Sequence, residues 1–354
     1  MYEEFIGTKP VSERQKFDVD ALHEYMLANV DGFSGKMEIE QFKGGQSNPT
    51  FRLTADGRQY VLRTKPGPAA MLLPSAHAIE REFRVMDALN KAGFPTPRQY
   101  ALCTDEALIG RAFYVMECMQ GRVLWDQSLP GMSNTERAAY YDEMNRVIAR
   151  LHTIDYAAIG LGTYGKPGNY FGRQIDRWSR QYKASETEVI PAMDQLIEWL
   201  PKNIPPGDET SIVHGDYRLD NMMFHPTEPK IVAILDWELS TLGHPLADFS
   251  YHLMSWHIPQ GQFRGIGGLD LPSLGIPTEA EYIARYCERT GRTLRQEDLR
   301  FYLAYNMFRM AGILQGIMKR YVDGTAASAE ALKSGQAARP MAEMGWSYAS
   351  GERS

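Results

Sequence analysis

Cysteine is scarce in this 354-residue chain: Cys103, Cys118 and Cys287 are the whole set, and no CxxC pair occurs. An odd, sparse set supplies no disulfide framework and no thiolate metal site, and it fits a reducing compartment. A basic surplus is also missing, since 38 Lys and Arg face 44 Asp and Glu for a formal charge of −6. Dedicated nucleic-acid binders carry the opposite balance. No apolar run reaches the roughly 18 to 20 residues that a spanning helix needs. The opening MYEEFIGTKPVSERQKFDVD is polar and acidic, without the apolar centre of a secretory leader. The expectation is a cytoplasmic protein, monomer or homodimer, that engages neither nucleic acid nor membrane. Its 44% hydrophobic and 23% charged residues are those of a globular chain, long enough for one large or two medium domains.

What is present changes texture near Gly121. Before it, Asp18 to Val30 has a helical apolar period, while Met37 to Phe42, Thr50 to Thr54 and Tyr60 to Thr64 read as strands. Asp56-Gly57 between the last two is a hairpin signal. Gly44-Gly45-Gln46-Ser47-Asn48 precedes that hairpin, and two glycines let backbone N–H groups approach an anion without a Cβ in the way, a candidate phosphate loop. Ser75 to Ala92 is a helix closed by Gly93, Pro95 and Pro97, and Gln99 to Cys103 and Ala112 to Glu117 are two more strands. Residues 1–120 therefore predict an α+β layer of five strands and one main helix. Residues 121–354 predict a mainly helical unit, with strand-like islands at Ile212-Val213 and Ile231 to Leu235. The Ala-, Gly- and Ser-rich tail from Gly324 is weakly patterned.

The chemistry-bearing segment is His214-Gly215-Asp216-Tyr217-Arg218-Leu219-Asp220-Asn221, followed by Asp236-Trp237-Glu238. Phosphoryl transfer needs an acceptor hydroxyl oriented in line, neutralised triphosphate charge, and a metal held by hard oxygen ligands. Asp216 can accept a hydrogen bond from the hydroxyl, and Asn221 can turn its amide oxygen to Mg²⁺. Asp236, at the end of an apolar run, can bridge the metal to the phosphates.

HGDYRLDN with the later LDWE resembles the aminoglycoside phosphotransferase/choline kinase superfamily, relatives of the protein kinases. The resemblance implies a protein-kinase-like two-lobed fold, an ATP- and Mg²⁺-dependent transfer, Asp216 as catalytic base, and Asn221 and Asp236 as metal ligands. Residues 1–120 become a nucleotide-binding lobe with its hinge, and 121–354 a lobe with the catalytic loop and substrate site. Trp237-Glu238 departs from the Phe-Gly of protein kinases, which turns the reading away from protein substrates. Asp248 of GHPLAD falls where the family ties the loop to the next helix. On the third strand the resemblance implies a phosphate-contacting cation, Arg63 in place of the usual lysine, with Lys65 two residues on as a substitute. Its helix carboxylate is Glu82, with Glu80 as runner-up. FYVMECMQG resembles the interlobe hinge, implying adenine contacts from the Glu117 carbonyl and the Met119 N–H.

The resemblance implies a small-molecule alcohol as acceptor. Arg173, Arg177 and Arg180 share one helical face, and Trp178 and Tyr182 form a pair four residues apart, which suits an anionic substrate or a solvated face with a core anchor. Trp237 and Glu238 are further substrate candidates. VLRTKPGP, IEREFRVMDAL, GNYFGRQIDRWSRQY and HGDYRLDN together are similar to the acyl-CoA-dehydrogenase-associated phosphotransferase branch, implying a hydroxyacyl-CoA acceptor. Three other readings stay open: a pseudokinase-like nucleotide-binding module, an aminoglycoside-type antibiotic kinase, and a metal hydrolase using His214, Asp216, His225 and Asp236. His152 and His214 are read as structural.

Overall fold

The computed structural model describes residues 7–43, 48–66, 79–325 and 330–353. The chain starts with β1 (Thr8–Lys9), α1 (Val19–Asn29), β2 (Met37–Phe42), β3 (Thr50–Ala55), β4 (Arg58–Thr64), α2 (Ile79–Lys91), β5 (Gln99–Cys103), β6 (Phe113–Glu117) and β7 (Arg122–Val123). Asp18 caps α1, its carboxylate accepting the Ala21 N–H at 2.9 Å. Asp56 and Gly57 both hold positive φ, 49° and 73°, the backbone that a two-residue hairpin between β3 and β4 demands.

Then come α3 (Asn134–Thr153), α4 (Tyr170–Ser185), α5 (Pro191–Trp199) and β8 (Ser211–Val213), followed by β9 (Met222–Phe224), β10 (Ile231–Ile234) and β11 (Thr241–Gly243). The chain finishes in α6 (Pro245–His257), α7 (Leu271–Leu274), α8 (Glu279–Thr290), α9 (Gln296–Val322), α10 (Ala331–Gln336) and α11 (Ala338–Ser350). These elements divide into two units. The first comprises Met1–Trp125, Tyr156–Tyr164 and Leu219–Ser240, and the second Asp126–Asp155, Gly165–Arg218 and Thr241–Ser354.

In the first unit an antiparallel sheet runs β1-β2-β3-β4-β6-β5, the five expected strands plus the two-residue β1 at its edge. Successive strand residues face opposite sides. Tyr60 and Leu62 of β4 therefore join Leu22, Met26, Phe51, Leu53 and Phe113 in an apolar layer. Arg63 points the other way, to the face that α2 covers with Ile79, Val85, Met86 and Leu89. A second sheet, β10-β9-β7, carries the segment from Asn221 to Asp236.

In the second unit α9 is the central helix, with fifteen buried residues from Leu299 to Gln315. Within the weakly patterned tail, α10 and α11 are helix. Ala338, Met341, Ala342, Gly345 and Tyr348 form the buried stripe of α11, and a Cβ on Gly345 would stand 3.0 Å from Met307 Cβ of α9. Small residues lower the apolar signal of a sequence, yet they let helices approach closely. Among the described residues no helix is long and apolar enough to cross a membrane.

Gly121 marks a close approach within the first unit: a Cβ would meet Met223 Cγ and the Phe224 carbonyl oxygen at 2.5 Å. Gly121→Ala is expected to lower stability by about 1–3 kcal/mol through overpacking, read as a fall in the urea midpoint without a change in slope.

Candidate active site

In the first unit the polar centre is Arg63, whose side chain is 12% exposed. Its Nε lies 2.8 Å from Glu82 Oε2, an ion-pair contact without hydrogen-bond alignment. One terminal nitrogen donates to Asp236 Oδ1 at 3.0 Å and stands 4.0 Å from Glu238 Oε2. Glu82, on α2, is buried and accepts from Asn48 Nδ2 at 2.8 Å and from the Tyr114 hydroxyl at 3.1 Å. Burial opposes the charge on Arg63, but Glu82, Tyr114 and Asp236 outweigh it and hold the guanidinium above its ordinary range. Burial pushes the Glu82 carboxyl up, while Arg63 pulls it back. Lys65 is engaged elsewhere, with Glu80 Oε1 at 2.7 Å.

Asn221 and Asp236 sit at one end of the β9–β10 ladder, where Met222 faces Ile234 and the Leu235 N–H donates to the Asn221 carbonyl at 2.8 Å. Asp236 takes left-handed backbone, φ 64°, directly after β10. An amide oxygen and a carboxylate, both hard donors, suit Mg²⁺ rather than a soft metal. Asn221 and Asp236 are thus the residues that would hold it. Among the described residues no group of three or more His, Cys, Asp or Glu is gathered for a metal. His225 Nδ1 instead accepts the Thr227 N–H at 3.4 Å.

Of the expected hinge, Glu117 ends β6 opposite Tyr60, and its N–H donates to the Arg98 carbonyl at 2.8 Å. Met119 follows in the irregular stretch before β7 and is half-buried. Gly44, Gly45 and Ser47 of the phosphate loop lie outside the described residues; Asn48 is buried on Glu82. Trp237 is 1% exposed, its indole N–H donating to the Ile234 carbonyl at 3.0 Å and its ring edge-on to Phe94. That corrects its expected place at a substrate: no substrate reaches an indole in the core.

In the second unit β8 pairs with β11 and delivers the catalytic-loop sequence. Asp248, in the first turn of α6, accepts the His214 N–H at 2.7 Å and the Gly215 N–H at 2.8 Å, the tie expected of it. His152 is a buried helix histidine, Nε2 at 3.2 Å from Asp248 and Nδ1 at 2.7 Å from the Tyr286 hydroxyl. His214 Nδ1 accepts the Asp216 N–H at 3.2 Å, a structural role. Gly215, at φ 83°, needs the left-handed freedom of glycine.

Asp216 itself receives the Tyr251 hydroxyl on Oδ1 at 2.5 Å and stands 3.0 Å from Arg218 Nε through Oδ2. Burial alone would raise its carboxyl, but Arg218, Tyr251, His214 and Arg309 hold it below the ordinary carboxylate range. It is an ionised acceptor of hydrogen bonds. Arg309, buried on α9, donates to the Gly215 carbonyl at 2.6 Å and lies over the rings of Trp178 and Tyr251. Tyr251 and Arg309 were not legible in the sequence, because nothing local on α6 or α9 sets either apart from a residue that packs in the core.

The arginine–aromatic helix needs correction. Phe171, Ile175, Trp178 and Tyr182 are the buried stripe of α4, with Trp178 at 6% and Tyr182 at 0% exposure. Arg173 is bound by the Gly168 and Lys166 carbonyls, and Arg180 pairs with Asp176 at 2.6 Å. Arg177 is exposed, its guanidinium 5.4 Å from the Trp178 ring centre. An amphipathic helix buries its aromatics, so Trp178 and Tyr182 are packing residues.

The fold is the kinase-like one of the aminoglycoside phosphotransferases and choline kinases. The choline kinase of Cryptosporidium parvum shares it at a TM-score of 0.60 with 13% identity, over 93% of this chain and 95% of that one. An aminoglycoside phosphotransferase seen with ADP and hygromycin B shares it at 0.60 with 16% identity, over 93% and 98%.

The chain belongs to the phosphotransferase enzyme family, whose model matches residues 38–302. A crystal structure from Ralstonia eutropha, provisionally named an aminoglycoside phosphotransferase, is 65% identical with a TM-score of 0.88, over 95% of this chain and 99% of that one. Acyl-CoA dehydrogenase family member 10 of Mus musculus is 46% identical over 98% of this chain and 32% of its own length. Family member 11 of Rattus norvegicus is 41% identical over 96% and 44%. The chain spans less than half the length of these curated relatives.

Two measurements test the polar cores. Glu82→Ala removes the buried carboxylate from the Arg63 guanidinium, leaving it with Asp236, and is expected to lower stability by about 3–5 kcal/mol in urea unfolding. In the second unit burial holds His244 and His252 down at about 4 and keeps His152 below its usual range. A folded-state value below the unfolded 6.5 means that the unfolded chain binds more protons between them. Stability is therefore complete above pH 6.5 and is lost toward pH 4, by about 2 kcal/mol each for His244 and His252 at pH 5. Urea midpoints at the two ends of this window should show the fall, and His252→Gln should flatten it. An unchanged slope in that variant would refute the assignment.

Proposed function

We propose that this chain transfers the γ-phosphate of ATP to a hydroxyl of a small acyl-bearing metabolite, a hydroxyacyl-CoA being the acceptor class. The carrying observation is Arg63, buried on β4, linking the α2 carboxylate Glu82 to Asp236. A cation fixed between a helix carboxylate and a metal-ligand candidate is what positioning of a triphosphate requires. In this reading residues 1–120, with the Glu117 carbonyl and Met119 N–H toward adenine, bind the nucleotide, and Arg63 rather than Lys65 meets its phosphates. Mg²⁺ held by Asn221 and Asp236 supplies neutralisation of the phosphate charge.

Residues 121–354 serve the acceptor. Asp216 takes the hydroxyl proton as the acceptor oxygen bonds to the γ-phosphorus and the bond to the β-phosphate oxygen breaks, releasing ADP. An ionised Asp216, fixed by Tyr251 and by the Asp248-held loop, is suited to orient that hydroxyl. With all three positions filled, a pseudokinase module is the weaker reading. The acyl assignment draws on the names of the acyl-CoA dehydrogenase family relatives. An aminoglycoside is polycationic and is disfavoured by Arg218 standing on the base.

Purified protein with ATP and Mg²⁺ should phosphorylate a hydroxyacyl-CoA and not kanamycin; equal or better turnover of the aminoglycoside would defeat the acyl assignment. Asp216→Ala should lower transfer by about 10³-fold or more with nucleotide binding retained, as removal of an acceptor-orienting base predicts. Asp236→Ala should lose the Mg²⁺-dependent part of nucleotide binding, seen by titration calorimetry with and without the metal.

A further inference from the structure

Asp248 and Tyr251 stand three positions apart on α6, a helix buried from Pro245 to Trp256, so both project from one of its faces. That face meets three consecutive residues of the loop after β8. Asp248 accepts the His214 and Gly215 N–H groups, and the Tyr251 hydroxyl donates to the Asp216 carboxylate at 2.5 Å. The loop is thus held twice from the same helix, its backbone by an acceptor and its side chain by a donor.

The Tyr251 ring is itself braced. It is buried, and the Arg309 guanidinium of α9 lies 5.3 Å from its centre while donating to the Gly215 carbonyl at 2.6 Å. Arg309 therefore ties the tyrosine and the loop together. Burial and the Asp216 charge hold the phenol well above its ordinary range, so it enters the contact as a donor. A hydroxyl donating to a carboxylate at this length is charge-assisted, roughly twice as strong as a neutral hydrogen bond.

Arg218 also reaches the carboxylate, with Nε 3.0 Å from Oδ2, but from two residues along the same loop. A group on the loop moves with it. Tyr251 comes from a different element and can set the carboxylate's direction within the unit. Direction has to be set, because the last torsion of an aspartate is broad and roughly two-fold.

We infer that Tyr251 is a positioning residue for phosphoryl transfer: through its hydroxyl it fixes the rotation of the Asp216 carboxylate, so that an oxygen is aimed at the acceptor hydroxyl. The inference rests on the phosphotransferase reading and adds to it a residue that acts through the base. An ionised carboxylate accepts at about four lone-pair sites, so the bond from Tyr251 does not exhaust it. Small errors of aim are costly, since a misplacement of about 1 Å can cost about 10²-fold in rate.

The test is a double-mutant cycle of Tyr251→Phe and Asp216→Ala in the full chain. Each protein is assayed with ATP, Mg²⁺ and the best acceptor among hydroxyhexanoyl-CoA, choline and kanamycin, and its urea midpoint is measured. Tyr251→Phe keeps the ring against Arg309 and removes the hydroxyl. It is expected to lower kcat about 10- to 100-fold, the worth of a hydrogen bond to a charged group, with the KM for ATP unchanged. In the Asp216→Ala background the same change should lower neither the residual rate nor the urea midpoint further. Equal losses with and without Asp216 would mark the tyrosine as a packing residue and overturn the inference. Wild-type kcat in Tyr251→Phe defeats the positioning role alone, whereas a wild-type chain that phosphorylates none of the three acceptors defeats the phosphotransferase reading and the role with it.

Discussion

One buried carboxylate organises the second unit. Asp248 is sequestered from water, and burial alone would drive it to the neutral acid. Instead it is kept ionised by the His152 ring and by two consecutive backbone N–H groups, those of His214 and Gly215. A charge in the interior tolerates no other arrangement, because each lost donor leaves it under-solvated. The loop therefore has one geometry. Gly215 turns left-handed, its carbonyl is taken by Arg309, and Asp216 emerges with its N–H bound to His214 and its carboxylate on Tyr251. Positioning of the Asp216 carboxylate is thus imposed from below, by the buried charge of Asp248.

The same logic explains why Asp216 is ionised although mostly buried. Neutral hydrogen-bond donors and nearby guanidinium groups replace the water it has lost, and they favour the charged form. Tyr251 contributes a phenol that burial pushes well above its ordinary range, so it stays a donor across the physiological span. Because α6 carries both Asp248 and Tyr251, one helix fixes the backbone before Asp216 and the hydroxyl that meets its carboxylate.

How much of this was legible depended on sequence separation. HGDYRLDN keeps its candidate groups within eight positions, and Asp236 follows an obvious apolar strand, so pattern alone singles them out as candidates. The β3–β4 hairpin was legible for a similar reason, since Asp-Gly has a specific backbone preference. Tyr251 lies 35 residues beyond Asp216, and Arg309 lies 94 beyond Gly215, each inside a largely buried helix. Nothing local distinguishes a tyrosine that bonds a catalytic loop from one that fills a core. The α4 arginines misled for the converse reason. A helix displays its polar face conspicuously, yet Arg173 spends its donors on neighbouring carbonyls and the aromatics beside it face inward. The tail escaped notice because alanine and glycine mark close helix packing by geometry rather than hydrophobicity.

Arginine at position 63, in place of the lysine that the resemblance leads one to expect, has a structural reason. A lysine ammonium is one point charge on a flexible stem, whereas a guanidinium spreads its donors over a planar fork. Arg63 uses that fork to face Glu82 with Nε and Asp236 with a terminal nitrogen at the same time. A lysine at the same place could satisfy one carboxylate closely and would leave the other buried without a matched partner. Lys65 takes the single-partner role instead, with Glu80 at the more exposed start of α2. The departure from lysine is therefore coupled to the position of Asp236, and the two residues are best regarded as one unit of electrostatic design.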